Sequence, residues 1–341
     1  MRNGIRFPIM LDSGAYNAWR AGKEVDFREY MRYLKYLIEK YPSADLEYVN
    51  LDIIGDGKAS YKNWRIMRDE GLNPIPVWHL TTSRKWLSEY LKLTDRLALS
   101  WFGAMPFKRR ILSLDFLWGN YLTDENGMPT RRVHGMGVAD FKILLRYPWY
   151  TVDSSSWLLT AAMGDVFVPE QVDGEWRFDR RPTRVTVSGP VMRWGHGNRV
   201  GLRLSSRDDD LVRSYFEYIN APLDGDEGMR NYWAPRRRAN MRFYWEFVRR
   251  LKSPRPFIGT APTGLWGSPA SPTAEKPAIS SGLFDHTVLF LAGNIEWEGR
   301  DRFLEDCVNF PGLGRLTSYW YTNTPDSKAK ALENLLEAIW T

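Results

Sequence analysis

The chain has 341 residues, 43% of them hydrophobic and 26% charged, with 16 tryptophans and a single cysteine, Cys307. One cysteine excludes an intrachain disulfide and a cysteine-rich zinc site, while the length accommodates one barrel of about 250 residues plus insertions. A formal charge of +6 favours a polyanionic partner without requiring one.

The first apolar run, Ile5 to Leu11, is short and leads directly into an Asp-Ser-Gly turn, so it does not read as a targeting segment. Strand-like runs follow at Leu46–Ile54, Pro74–Leu80, Leu97–Phe102, Val133–Val138 and Trp149–Val152. Helical patterns lie between the early ones, at Phe27–Tyr41, Tyr61–Glu70 and Ser83–Leu93. Strands separated by helices of that length predict repeated βαβ units and a parallel sheet. No Gly-x-Gly-x-x-Gly turn follows the first strand, which favours a barrel over an open doubly wound sheet.

Residues 158–286 read as an insertion, with hairpin patterns over 164–190 and an Asp173-Gly174 turn. Helical patterns occupy 208–220 and 229–252, and 253–282 is rich in Pro, Gly, Ser and Thr. Two further βα units close the chain, Thr287–Ile295 with Arg300–Cys307 and Arg315–Thr322 with Asp326–Trp340. The apolar stretch Val288–Ala292 is far too short to span a bilayer. The expected architecture is therefore an α/β TIM-type (β/α)8 barrel. Residues 1–157 form its first six units, 158–286 an insertion after the sixth strand, and 287–341 the last two units. A cytoplasmic protein with no membrane contact is expected (host cytoplasm if phage-encoded).

In such a barrel the chemistry gathers at the C-terminal ends of the strands. Just past the expected strands lie Asp12, Asp52, His79, Ser100 to Gly103, His134 to Val138 and Asp153. Three acids at three strand mouths converge on one pocket, where proximity drives their pKa values apart and separates a proton donor from an ionised nucleophile. The structural alternative is that each acid caps a following helix.

The run Asp12-Ser13-Gly14-Ala15-Tyr16-Asn17 resembles the Asp-Ser-Gly-Gly-Phe/Tyr-Gln motif of the tRNA-guanine transglycosylases, and Met136-Gly137-Val138 resembles their Met-Gly-Val segment. Asp153 lies at a similar distance downstream to the family's nucleophile. Pro76-Val-Trp-His79 and Asp153-Ser-Ser-Ser-Trp157 look closer still to the phage and bacterial DNA-guanine transglycosylases, which insert 7-deazaguanines into DNA. The likeness covers residues 5–157.

The resemblance implies that Asp153 attacks the anomeric carbon of a deoxyguanosine while Asp12 protonates the departing guanine and later takes a proton from the incoming 7-deazaguanine, of the preQ0 type. Asp52 would accept hydrogen bonds from the base, Tyr16 and Met136 would sandwich it, and His79, Ser100 and Gly103 would line its edge. Tyr16 and Met136 serve equally well as packing, and His79 and His134 as structural histidines. No cofactor and no metal are expected. The family's cysteine-rich zinc site is missing here, which removes the element tied to tRNA handling and dimerisation and leaves a monomer compatible with the sequence. Ala15 replaces the motif's second glycine, and Ser100-Trp-Phe-Gly103 only partly matches the family's Gly-Gly-Leu.

A base within a duplex cannot reach a barrel mouth, so the DNA guanine must be flipped out or single-stranded. Arg236, Arg237, Arg238, Arg242 and Arg249 on one predicted helix, and Arg177 and Arg181 around a predicted hairpin, are the candidate phosphate contacts. The alternatives are a tRNA-directed transglycosylase lacking the zinc module, a non-catalytic nucleic-acid-binding barrel, and a carbohydrate-active barrel using an aspartate pair.

Overall fold

The computed structural model describes residues 9–42, 46–100, 105–188, 202–203, 206–221, 223–225, 228–231, 233–251, 254–259, 288–293 and 316–318. The chain divides into two compact units, the first taking residues 1–153, 253–304 and 314–341, the second 154–252 and 305–313. The fold is mixed α/β with a parallel sheet.

In the first unit strands and helices alternate: β1 Ile9–Leu11, α1 Ala15–Arg20, α2 Phe27–Lys40, β2 Leu46–Tyr48, α3 Gly57–Asp69, β3 Val77–His79, α4 Arg84–Leu91, β4 Arg96–Ser100, α5 Phe107–Leu117, β5 Arg132–Gly135, α6 Phe141–Arg146 and β6 Thr151–Ser154. The helices bury one stripe each, as Tyr30, Leu34 and Leu37 do in α2 and Ser60, Trp64 and Met67 in α3. Their starts are fixed by side-chain caps. Asp26 accepts from Glu29 N–H at 2.8 Å, Asp56 from Ala59 N–H at 2.9 Å, and Asp140 from Lys142 N–H at 2.8 Å, each cap contributing about 1 kcal/mol. Asp12, Asp52 and Asp153 cap none of these helices.

The second unit opens with α7 Ser156–Ala162, then β7 Asp165–Val168, β8 Glu170–Val172, β9 Glu175–Arg177, β10 Thr183–Thr186, β11 Leu202–Arg203, α8 Ser206–Tyr218 and α9 Trp233–Arg250. β8 and β9 form the expected hairpin; Asp173 (φ 51°) and Gly174 (φ 80°) are both left-handed, as a type I′ turn requires. Phe178, Tyr215, Phe216, Phe243 and Phe247 are among the most deeply buried side chains of the unit. Asn240 of α9, fully buried, ties the layers together. Its Oδ1 accepts from Phe167 N–H at 2.8 Å, and its Nδ2 donates to the carbonyls of Trp157 and Asp165 at 3.2 Å each.

The chain then supplies β12 Val288–Gly293 and β13 Leu316–Ser318. Eight strands pair in the order β2-β1-β13-β12-β6-β5-β4-β3, and every described register among them is parallel. A further parallel bridge joins Val49, just past β2, to Ile75, just before β3. The helices expected at Arg300–Cys307 and Asp326–Trp340, the 260–282 part of the expected loop, and Cys307 lie outside the described residues.

Two strand expectations were too long for a physical reason. Past Val49 one strand-like bond remains, Asn50 N–H to Ile75 C=O at 3.1 Å, and side chains then take over. Asn50 Oδ1 accepts from Val77 N–H at 2.7 Å, Ser60 Oγ from Ile53 N–H at 2.9 Å, and Asn63 Nδ2 donates to Leu51 C=O at 3.0 Å. β2 therefore ends early, and the segment carrying Asp52 is held as a rigid loop by α3. β3 begins only at Val77: Ile75 N–H still pairs with Tyr48 C=O at 2.8 Å as part of an isolated bridge, but Val77 N–H goes to the Asn50 side chain.

Candidate active site

Side chains two apart on a strand share a face. On one face of the sheet Met10, Val49, Ile75, Val77 and Ala98 form a buried apolar cluster with Met136 packed against it. Two residues beyond Met10, Val77 and Ala98 come Asp12, His79 and Ser100, and on the neighbouring strands Met136 follows His134 and Asp153 follows Thr151. On β1, β3 and β4 the alternation places polar groups beyond apolar ones at the C-terminal ends, whereas on β5 the order is reversed, with His134 before Met136. Asp153 lies within β6, one residue further into the strand than expected.

Asp12 is 9% exposed, Asp52 5% and Asp153 2%. Burial first, and then the charges of Asp52 and Asp153, push the Asp12 carboxyl up from 3.8 to about 7, against backbone donation from Gly14 and Ser13, which pulls it down. The three carboxylates therefore share one electrostatic environment. Tyr30 belongs to the same environment: burial, followed by Asp12 and Asp52, raises its phenol well above the ordinary value, and its hydroxyl donates to Val49 C=O at 2.8 Å.

The other two acids have fixed partners. Asp52 accepts from Ser13 Oγ at Oδ1 (3.0 Å) and faces His79 Nε2 at Oδ2 (2.7 Å). Asp153 Oδ1 accepts from Gly137 N–H at 2.9 Å and faces His134 Nε2 at 3.2 Å. One acid that holds its proton near neutrality thus sits beside two acids that are held and oriented.

Family models, curated proteins and solved structures yield no match to this chain. The site is accordingly read from its own geometry.

The structure brings Asp12, Asp52, His79 and Asp153 into this cluster. His79, expected on the base's edge, turns Nε2 to Asp52 and is 1% exposed. Tyr16, on the rim helix α1, is 41% exposed, with Trp19 stacked 6.1 Å away and the Arg20 guanidinium 5.9 Å from its ring. Met136 is half-buried and packed on the apolar cluster, the packing role left open for it. Ser100 ends β4, half-buried, its carbonyl accepting from Leu80 N–H at 3.0 Å. Gly103 lies outside the described residues.

The basic helix requires a correction. Arg236 and Arg237 are buried, not displayed to solvent. Arg236 donates to Ala161 C=O at 2.7 Å, which also accepts from Gly164 N–H at 3.0 Å, and to Met229 C=O at 2.6 Å, so it binds the end of α7 to the loop before α9. Arg237 lies 5.3 Å from the Trp233 ring. Arg242 is half-buried, donating to Ile219 C=O at 3.1 Å across the Tyr218 ring. Arg238 and Arg249 are exposed, the latter stacked 4.4 Å from Trp245. Arg177 pairs with Asp179 at 2.7 Å, and Arg181 is exposed.

Sequence reasoning passed over three contributors: Ser13, the Gly137 amide and Thr151, whose Oγ1 is 2.9 Å from His134 Nδ1. The signal for Thr151 was available in the alternation, since it shares a strand face with Asp153.

Proposed function

We propose that the chain is a base-exchanging transglycosylase acting on guanine in DNA, with Asp153 as nucleophile and Asp12 as the acid and base. The observation that carries this reading is the burial of Asp12, Asp52 and Asp153 at the C-terminal ends of parallel strands, two of them held by fixed partners and Asp12 pushed up to about 7 by burial and by the other two. Proton transfer at a purine nitrogen needs a group poised near the working pH. A nucleophile needs an oriented carboxylate, and the Gly137 amide fixes one oxygen of Asp153.

In the first displacement an oxygen of Asp153 bonds to C1′ as the C1′–N bond breaks, and Asp12 delivers its proton to the departing guanine. In the second, a nitrogen of the incoming 7-deazaguanine attacks C1′, Asp153 leaves as carboxylate, and Asp12 recovers a proton from the new base. Two inversions give net retention, as in retaining glycosidases. Asp52, oriented by Ser13 and His79, accepts from the base's N–H edge. Exposed Tyr16 and half-buried Met136 offer it apolar faces.

The scaffold we propose for this chemistry is a (β/α)8 barrel. Support comes from eight strands in the order 2-1-13-12-6-5-4-3, with the Val49–Ile75 bridge linking the two ends of that order, and from polar groups gathered at one set of strand ends. The second unit is proposed as the nucleic-acid clamp, using Arg238, Arg249 and Arg181, its exposed cations from the expected set.

Labelled 7-deazaguanine incubated with duplex DNA, single-stranded DNA and unmodified tRNA tests the reading. Label is expected in guanine-containing DNA and absent with Asp153→Ala. Label in tRNA alone would redirect the activity to the tRNA-directed alternative, and label in none of them would refute base exchange.

A further inference from the structure

His134 stands on β5 with its ring, 3% exposed, between two side chains of β6. Nδ1 lies 2.9 Å from Thr151 Oγ1 and Nε2 lies 3.2 Å from Asp153 Oδ1. The same Oδ1 accepts from Gly137 N–H at 2.9 Å. Gly137 has φ +66°, a left-handed conformation that glycine adopts without steric cost, so the turn after β5 aims a backbone donor at this one oxygen. The partner of one imidazole nitrogen sets the protonation of the other. A Thr151 hydroxyl donating to Nδ1 leaves the proton on Nε2, facing the carboxylate.

We infer that His134 is a positioning residue for Asp153. With Gly137 it holds Oδ1, so that the bond to the sugar forms at Oδ2, and it acts chiefly on the second displacement. The inference rests on the reading of Asp153 as nucleophile. In the first displacement an Oδ2 electron pair forms the bond to C1′, and the C1′–N pair leaves with the base, protonated by Asp12. Asp153 is then an ester whose carbonyl oxygen is Oδ1. In the second, the incoming nitrogen takes C1′, the Oδ2–C1′ pair returns to Asp153, and negative charge reappears across both oxygens. Donors on Oδ1 bind a carboxylate more strongly than an ester carbonyl. They therefore stabilise the departing carboxylate, and their loss makes it a poorer leaving group.

The test compares His134→Phe, His134→Gln and Thr151→Val with the wild type, using a guanine-containing oligonucleotide and a labelled 7-deazaguanine. For His134→Phe, turnover is expected to fall roughly 10- to 100-fold, the span of losing one hydrogen bond to a charged group. KM for the oligonucleotide falls with it, leaving kcat/KM for that substrate near its wild-type value, and the covalent protein–DNA species accumulates in intact mass spectra. His134→Gln, which keeps an N–H donor, should recover part of the rate, and Thr151→Val should fall between. Wild-type turnover by His134→Phe without adduct build-up would overturn the inference.

Nitrogen-15 NMR of the wild-type imidazole gives a readout that survives a folding failure of the variants. The Nε2-protonated tautomer is expected, and a neutral Nδ1-protonated ring would overturn the inference. A wild type that exchanges no base defeats the functional reading instead, while the tautomer still decides the His134 contact.

Discussion

Both compact units take charged side chains out of water, and they do so to different ends. In the second unit the buried guanidinium of Arg236 meets two backbone carbonyls, so its burial is explained by the helix end and loop it holds. In the first, three buried acids stand within one another's fields, and one is driven to hold a proton near neutrality. Helix capping does not account for them, because Asp26, Asp56 and Asp140 perform that task nearby. Crowded carboxylates oppose folding unless they are protonated or compensated. A satisfied buried cation marks architecture, whereas a buried acid raised by two acidic neighbours marks a site.

The comparison breaks most visibly if Asp153 is dispensable. Asp153→Ala is expected to lower base exchange by about 10^3-fold or more, read as label incorporated into DNA, because no other group replaces the nucleophile. Asp12→Asn should lower it by about 10^2- to 10^4-fold, the usual worth of a general acid and base.

The same Asp12→Asn substitution sharpens the electrostatic half of the contrast. An acid at about 7 in the folded chain and 3.8 in the unfolded one binds its proton more tightly when folded. That stabilisation is complete below about pH 4 and is lost as the pH rises through about 7. Asn carries no such dependence. Urea melts should show the variant gaining on the wild type across that window, by up to about 4 kcal/mol at pH 8, with little difference at pH 4.

Arg236→Ala probes the other half. It removes the Arg236 bonds to two buried carbonyls, of which Ala161 C=O keeps the Gly164 N–H donor, and should cost about 1–3 kcal/mol in denaturant unfolding. Arg238→Ala and Arg249→Ala, on exposed positions of the same helix, should leave stability within about 0.5 kcal/mol. Each should weaken DNA binding modestly and reduce the salt slope of the binding constant by about 1.

Much of this was legible in the sequence because it is periodic or punctuated. Alternating strand and helix patterns anticipated a parallel sheet, and Asp173-Gly174 anticipated a hairpin turn. The acids at strand ends were visible because helix starts elsewhere carried their own caps. What the sequence hid was side-chain destination. Arg236, Arg237, Arg238 and Arg242 look alike as letters, yet α9 turns the first two inward, half-buries Arg242 and leaves Arg238 in solvent. A 3.6-residue period locates a face but not the carbonyls that wait beneath it. His79 and Asp52 are 27 residues apart in the chain, and their meeting depends on the Asn50, Ser60 and Asn63 contacts that shape the loop after β2. No local pattern encodes those contacts.

Carbon-13 carboxyl NMR on aspartate-labelled protein, with Asp12→Asn for assignment, tests the central claim without any substrate. We expect one aspartate to titrate near pH 7 and its midpoint to fall in Asp52→Asn and Asp153→Asn. An Asp12 carboxyl that titrates in the ordinary carboxylate range, indifferent to both substitutions, would show that the three acids share no pocket.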